Sequence, residues 1–185
     1  MKKILLLVLV TITISLFSFL LFKKSNEIYI TSFEECAKQY PVLESYPPVC
    51  VTTDGKRFVL EIGNEMALSD SIRLASPRPN QKVASPIVIQ GEARGNWFFE
   101  AQIQAELTDM DGVKMGDALL TADADWMTDD FVPFSGFLKY ELLDNVTEGK
   151  LIIKNANPSG LVEHSRELII PVRFQQADHF WVQGL

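Results

Sequence analysis

The chain has 185 residues, with 17 Lys+Arg against 24 Asp+Glu, a net charge of −7, two cysteines and two histidines. That length holds one medium domain, or one domain plus a small module. The acidic balance excludes a nucleic-acid binder, which needs cations to neutralise phosphates. Two cysteines exclude a disulfide-dense scaffold and a four-cysteine metal site, and His164 and His179 alone exclude a histidine-rich one.

The first element is apolar. From Ile4 to Phe22, 15 of 19 residues are apolar and none is charged, with Lys2, Lys3 and Lys23, Lys24 as flanks. A helix of that length spans about 28 Å, close to the hydrocarbon thickness of a bilayer. The exit, Ser18-Phe19-Leu20-Leu21-Phe22-Lys23-Lys24, has no small-x-small cleavage site. Residues 1–24 therefore read as a retained signal anchor, with a cleaved signal peptide as the alternative. Two lysines at each end leave the orientation nearly balanced. Glu27 on the downstream side tilts it toward an extracytoplasmic C-terminal part. Beyond residue 22 the chain carries 15 basic and 24 acidic residues, a net −9, in an ordinary globular composition.

Residues 30–65 read as a small module around Cys36 and Cys50. A helical turn is expected at Glu34 to Gln39. A hairpin is expected at 49–61, because Asp54-Gly55 between β-formers suits a two-residue type I′ turn. Tyr40-Pro41 and Tyr46-Pro47-Pro48 let the chain fold back between the cysteines. A Cys36–Cys50 disulfide would contribute on the order of 3 kcal/mol to a module too small for its own core. It requires an oxidising compartment, and two buried thiols are the alternative. Tyr46, Pro48-Val49-Cys50 and Asp54-Gly55-Lys56-Arg57-Phe58 resemble a Kazal-type inhibitor module. That module uses six cysteines where this one has two, so the inhibitor function does not carry over with the resemblance.

Residues 66–71 read as a linker. From 72 to 175 short β-like runs alternate with turn residues. They are Ile72–Ala75, Ile87–Ala93, Phe99–Leu107, Lys114–Ala122, Phe131–Glu141, Lys150–Lys154 and Glu167–Phe174. Seven such runs without a long amphipathic helix predict an all-β, immunoglobulin-like β-sandwich. The cysteine pair of antibody domains is absent, so apolar packing alone must hold this core. Phe98 and Phe99 cannot both point inward from one strand. Residues 176–185 form a tail ending on apolar residues.

Four blocks then carry a family resemblance. They are Ser76-Pro77-Arg78-Pro79-Asn80, Gly91 through Glu100, Asp125 through Phe134, and Asn157-Pro158-Ser159-Gly160 with Ile170-Pro171-Val172-Arg173-Phe174. In that order they resemble the immunoglobulin-like domain (Gmad2 type) associated with bacterial spore-germination modules. The resemblance implies a bacterial cell-envelope protein with an immunoglobulin-like fold and no known catalysis. It does not imply sporulation.

The chemistry-bearing residues fall into two sets. Arg94, Trp97, Glu100 and Trp126 are the candidate binding residues, with the tryptophans as stacking surfaces for a sugar or peptide. The plainer alternative puts Trp97 in the core and pairs Arg94 with an acid. Asp109, Asp111, Asp117, Asp123, Asp125, Asp129 and Asp130 fall within 22 residues. They read as exposed turn residues. A calcium loop at Asp123, Asp125, Asp129 and Asp130, or paired carboxylates acting on a sugar, are the alternatives. Ser159 has no general base in view, and His164 is expected in a solvated turn. The sequence contains no Walker loop, dinucleotide fingerprint or Gly-x-Ser-x-Gly motif, so neither a cofactor nor an enzymatic reaction is expected. The expected protein is a single-pass, extracytoplasmic envelope protein held in the cytoplasmic membrane by residues 4–22. Its sandwich would bind protein or glycan, or act as a spacer. A Kazal-like or ligand-binding role of the cysteine module and a carbohydrate-active hydrolase are the other readings.

Overall fold

The computed structural model describes residues 29–175. The expected anchor, Ile4 to Phe22, and the tail from residue 176 lie outside the described residues. Among the described residues no helix is long and apolar enough to cross a membrane. The chain divides into two compact units, Met1–Val59 and Leu60–Leu185.

The first element among the described residues of the first unit is helix α1, Phe33–Ala37. Ser32 caps it, its hydroxyl accepting the Glu35 N–H at 3.2 Å. The Glu35 carboxylate turns back to accept the Thr31 N–H at 2.8 Å and hydroxyl at 3.0 Å. These bonds hold its pKa below the usual glutamate value. The helix stops where the N–H groups of Gln39 and Tyr40 both reach the Cys36 carbonyl, one residue before Pro41. Strands β1 (Val42–Leu43), β2 (Val49–Val51) and β3 (Arg57–Val59) form an antiparallel sheet in that order. The expected disulfide is present: Cys36 of α1 joins Cys50 of the central strand, Cα to Cα 6.0 Å, and both are fully buried.

The turn between β2 and β3 differs from the expected two-residue turn. Five residues, 52–56, separate the strands, and Val51 pairs with Arg57. Gly55 has φ +84°, while Asp54 is not left-handed. The Gly55 N–H reaches the Thr52 carbonyl at 3.0 Å, so the glycine closes a four-residue turn. Thr52 explains the difference. Its hydroxyl bonds Asp54 and accepts the Lys56 N–H, which widens the loop by side-chain capping.

Among the described residues the second unit holds eight strands. They are β4 (Ile72–Ser76), β5 (Lys82–Val83), β6 (Ile87–Arg94), β7 (Gln102–Asp109), β8 (Lys114–Ala122), β9 (Phe131–Leu138), β10 (Glu148–Lys154) and β11 (Glu167–Phe174). Their order is β4-β6-β9-β8-β7-β10-β11-β5. All pairs are antiparallel except β11 with β5. Strands β8 and β9 pair only at Thr121–Ser135 and Ala122–Phe134, and the sheet folds into two layers there. The layers face each other across one apolar core. Ile72, Leu74, Ile89, Val132, Phe134 and Leu138 supply one side. Ile103, Leu107, Leu120, Leu151, Ile153, Leu168 and Ile170 supply the other. Alternation explains this, since every second residue of a strand meets the core.

The edge of β11 that faces away from β10 is covered by β5 and the segments before it. The Asn64 side chain donates to the Glu167 carbonyl at 2.8 Å and accepts the Ile169 N–H at 2.7 Å. The Asn80 N–H reaches the Pro171 carbonyl, Gln81 accepts the Arg173 N–H, and Val83 accepts the Gln175 N–H. At this edge Pro171 has no N–H to satisfy, so an otherwise sticky edge is closed. Residues 60–71 therefore carry contacts of the second unit. Gly63, at φ +73°, lies so close to β11 that a Cβ there would sit 1.8 Å from the Ile169 carbonyl oxygen.

Strand starts were harder to place than strand centres. The strand expected from Phe99 begins at Gln102, and the one expected to reach Glu141 stops at Leu138. Phe98 is buried and Phe99 is half exposed, so the two do point opposite ways. Strands β1 and β5, two residues each, have too few positions to show a period.

Candidate binding surface

Three connections meet at one end of the sandwich: residues 95–101, 123–130 and 155–166. Arg94 ends β6, and its side chain spans the approach. Nε donates to the Asp70 carbonyl and Nη1 to the Asp129 carbonyl, each at 3.0 Å. Gly95 follows because nothing larger fits. A Cβ there would lie 2.0 Å from the Thr128 oxygen and 2.3 Å from the Trp126 oxygen. A 3-10 turn, Gly95–Trp97, then rolls the chain inward. The Trp97 carbonyl accepts the Ala156 N–H at 2.8 Å, which ties this connection to 155–166.

The four candidate residues separate. Trp97 is fully buried in the core, so it offers no stacking face to a ligand. Among the described residues its indole N–H has no hydrogen-bond partner. Trp126 is half-buried and packs against the core from the 123–130 loop. Arg94 is engaged with backbone carbonyls rather than with Glu92, Glu100 or an aspartate side chain. Its guanidinium lies 4.1 Å from the Phe131 ring centroid, and that of Arg73 lies at the same distance. Arg73, not Arg94, pairs with Glu92, at 3.0 Å. Glu100 is exposed, at φ +50°, beside Ala101 at φ +61°.

Trp126 and Glu100 thus remain at the surface, and Met127 joins Trp126 there. A hollow of about 320 Å³ is lined by Gly95, Asn96, Trp126, Met127, Thr128 and Asp129. Met127 is 78% exposed. Composition alone gave no reason to single it out.

The aspartate run does not gather. Asp109 is buried at the β7–β8 turn, its carboxylate accepting the N–H groups of Asp111 at 2.9 Å and Val113 at 2.8 Å. Asp117 pairs with Lys114 at 2.7 Å. Asp123 accepts the Ser135 hydroxyl and Asp125 the Met127 N–H, each at 3.0 Å. Strand β8 carries the two halves of the run to opposite ends of the sheet. Among the described residues no three His, Cys, Asp or Glu side chains form a group able to hold a metal.

Ser159 has a neighbour that the sequence reading missed. Its Oγ lies 3.0 Å from His164 Nδ1. It also donates to Asn157 Oδ1 at 2.6 Å and accepts the Leu161 N–H at 3.3 Å. Both residues are exposed, and these bonds shape the loop.

A family model for Gmad2, the immunoglobulin-like domain of bacterial spore germination, matches residues 71–160. The matched segment carries that domain and spans β4 through β10; the structure adds β11 to the same sheet. No match was found among curated proteins or among solved structures.

Proposed function

We propose that this chain is a non-catalytic, membrane-anchored bacterial envelope protein whose immunoglobulin-like domain serves as a binding or spacer module. The match of residues 71–160 to an immunoglobulin-like family not known for catalysis carries the reading. Fold alone does not assign function, so three further features support it. The apolar run from Ile4 to Phe22 has the length of a membrane span. The Cys36–Cys50 bond belongs to an oxidising compartment. The loop end of the sandwich offers a protein or glycan a half-buried Trp126 and an exposed Met127 beside a shallow hollow.

A membrane-impermeant thiol reagent on intact cells tests this reading. Labelling of Cys36 and Cys50 only after external reduction, with the chain in the membrane fraction, is the expected result. Thiols that label only after lysis, without reductant, would place the protein inside the cell and end the envelope reading.

A further inference from the structure

A trough crosses the outer face of the sandwich over β4, β6 and β9. Its floor is a line of direct cross-strand partners, Leu74, Gly91 and Phe134. Leu74 and Phe134 are buried, so their side chains point into the core and only backbone faces out between them. One bank is the next row of partners, Arg73, Glu92 and Pro133. The other bank carries the exposed Ala75 and Gln90. Asp123, just past β8, stands at the β9 end, with its N–H on the Pro133 carbonyl at 2.8 Å. The hollow holds about 380 Å³, inside the ~300–1,000 Å³ of ligand clefts. It shares no lining residue with the loop-end hollow at Trp126.

The polar groups of this trough are held before any ligand arrives. Arg73 donates to the Ser69 carbonyl at 2.8 Å, pairs with Glu92 at 3.0 Å and lies over the Phe131 ring. Glu92 engages Arg73 through Oε1, and Asp123 engages the Ser135 hydroxyl through Oδ1. Each carboxylate has a second oxygen to accept with, and the Gln90 amide can both donate and accept. Fixed groups cost a ligand less ordering entropy. Pro133 and Ala75 add apolar ground between these groups.

We propose that this trough binds a neutral glycan chain laid across the three strands. Hydroxyl groups donate and accept, which matches carboxylate, amide and guanidinium groups side by side. The C–H faces of sugar rings match Pro133 and Ala75. Charge sets the ligand's neutrality. Two carboxylates stand against one guanidinium here, on a chain of net charge −7, so an anionic polymer is repelled. A peptide is the weaker occupant. Sheets commonly take peptides by adding a strand at an open edge, and the floor of this trough is backbone already paired within the sheet.

The test titrates the full-length, isotope-labelled chain in nanodiscs and follows its amide resonances. The probes are two neutral tetrasaccharides, one of glucose and one of N-acetylglucosamine, with tetragalacturonate as the anionic control. At least one neutral probe should move the amides of Arg73 to Ala75, Gln90 to Glu92 and Asp123, with a dissociation constant of about 1 mM or tighter. Gln90→Ala should weaken that binding by about fivefold, the value of one hydrogen bond. Ala75→Arg fills the trough and should weaken it by about tenfold or more. Both positions are exposed, and an unchanged melting temperature confirms that the sandwich is kept. Galacturonate should leave these amides still. No response to either neutral sugar, shifts confined to Trp126 and Met127, or an equal response to galacturonate would overturn the proposal. So would a response to an extended alanine-serine peptide alone, which would give the trough to a peptide. None of these outcomes touches the thiol-labelling result, so failure of this site is distinct from failure of the envelope reading.

Discussion

Arg94 and Phe131 face each other as direct partners across β6 and β9, with the guanidinium 4.1 Å from the ring centroid. The same guanidinium group donates to the Asp70 and Asp129 carbonyls, so one side chain fastens the entry to β4, the ring and the 123–130 loop. Arg94→Ala should destabilise the second unit by about 2–3 kcal/mol, combining a cation–π contact with two bonds to backbone. Arg94→Lys should recover less than half of that loss. A lysine keeps the charge but cannot stack a planar group while reaching two carbonyls. Denaturant unfolding of the three forms measures it. Equal stability of the Lys and Arg forms would show that charge alone matters here.

Glu100 and Ala101 form the turn between Phe99 and Gln102, whose N–H and C=O groups bond each other at 3.0 Å in both directions. Both turn residues have positive φ. This two-residue geometry favours Asn-Gly, and left-handed non-glycine residues are costly. Replacing Glu100-Ala101 by Asn-Gly should stabilise the domain by about 1 kcal/mol. A raised midpoint with an unchanged denaturant slope is the expected reading. No change, or a loss, would mean that contacts of Glu100 or Ala101 outweigh their backbone cost.

The disulfide closes a sequence separation of 14 between α1 and the central strand β2. A loop of that size contributes about 3 kcal/mol by constraining the unfolded chain. In a Cys36→Ser, Cys50→Ser variant, amide exchange across 33–59 should accelerate, most in Val49 to Val51. Retained protection in β2 would show that the small sheet holds without the bond.

How much of this was legible follows from physical scale. Lys114–Ala122 and Glu167–Phe174 are found at their expected bounds, because eight or nine residues give alternation room to show. Residues 99–101 read as strand because neither Glu100 nor Ala101 is a turn-former; strain holds the turn, and strain has no letter code. Asp54-Gly55 did mark a turn, but the Thr52 hydroxyl set its width. The aspartates read as turn residues, and a calcium loop stayed open as an alternative because sequence distance is short along a strand while spatial distance is long. Ser159 and His164 meet through a loop whose shape depends on Asn157, which no spacing rule announces. Asn64 and its cover of β11 were hidden for the same reason, with donor and acceptor 103 positions apart.

Glu65 gives the domain a pH dependence of definite sign. It is 8% exposed, and the Arg78 guanidinium lies 3.0 Å from its carboxylate. Burial raises its pKa above the ordinary 4.5, and Arg78 opposes that shift without cancelling it. The folded protein therefore holds this proton more tightly than the unfolded chain. The resulting stability is complete below the ordinary value and is lost as pH rises through the raised one. Glu65→Gln keeps the shape and removes the titration. From about pH 4 upward the wild type should lose stability relative to the Gln form, levelling once Glu65 is ionised in the fold. Unfolding free energies of both forms across a pH series measure this difference. A wild type that gains on the Gln form through the same window would show that the Arg78 ion pair, not burial, governs Glu65.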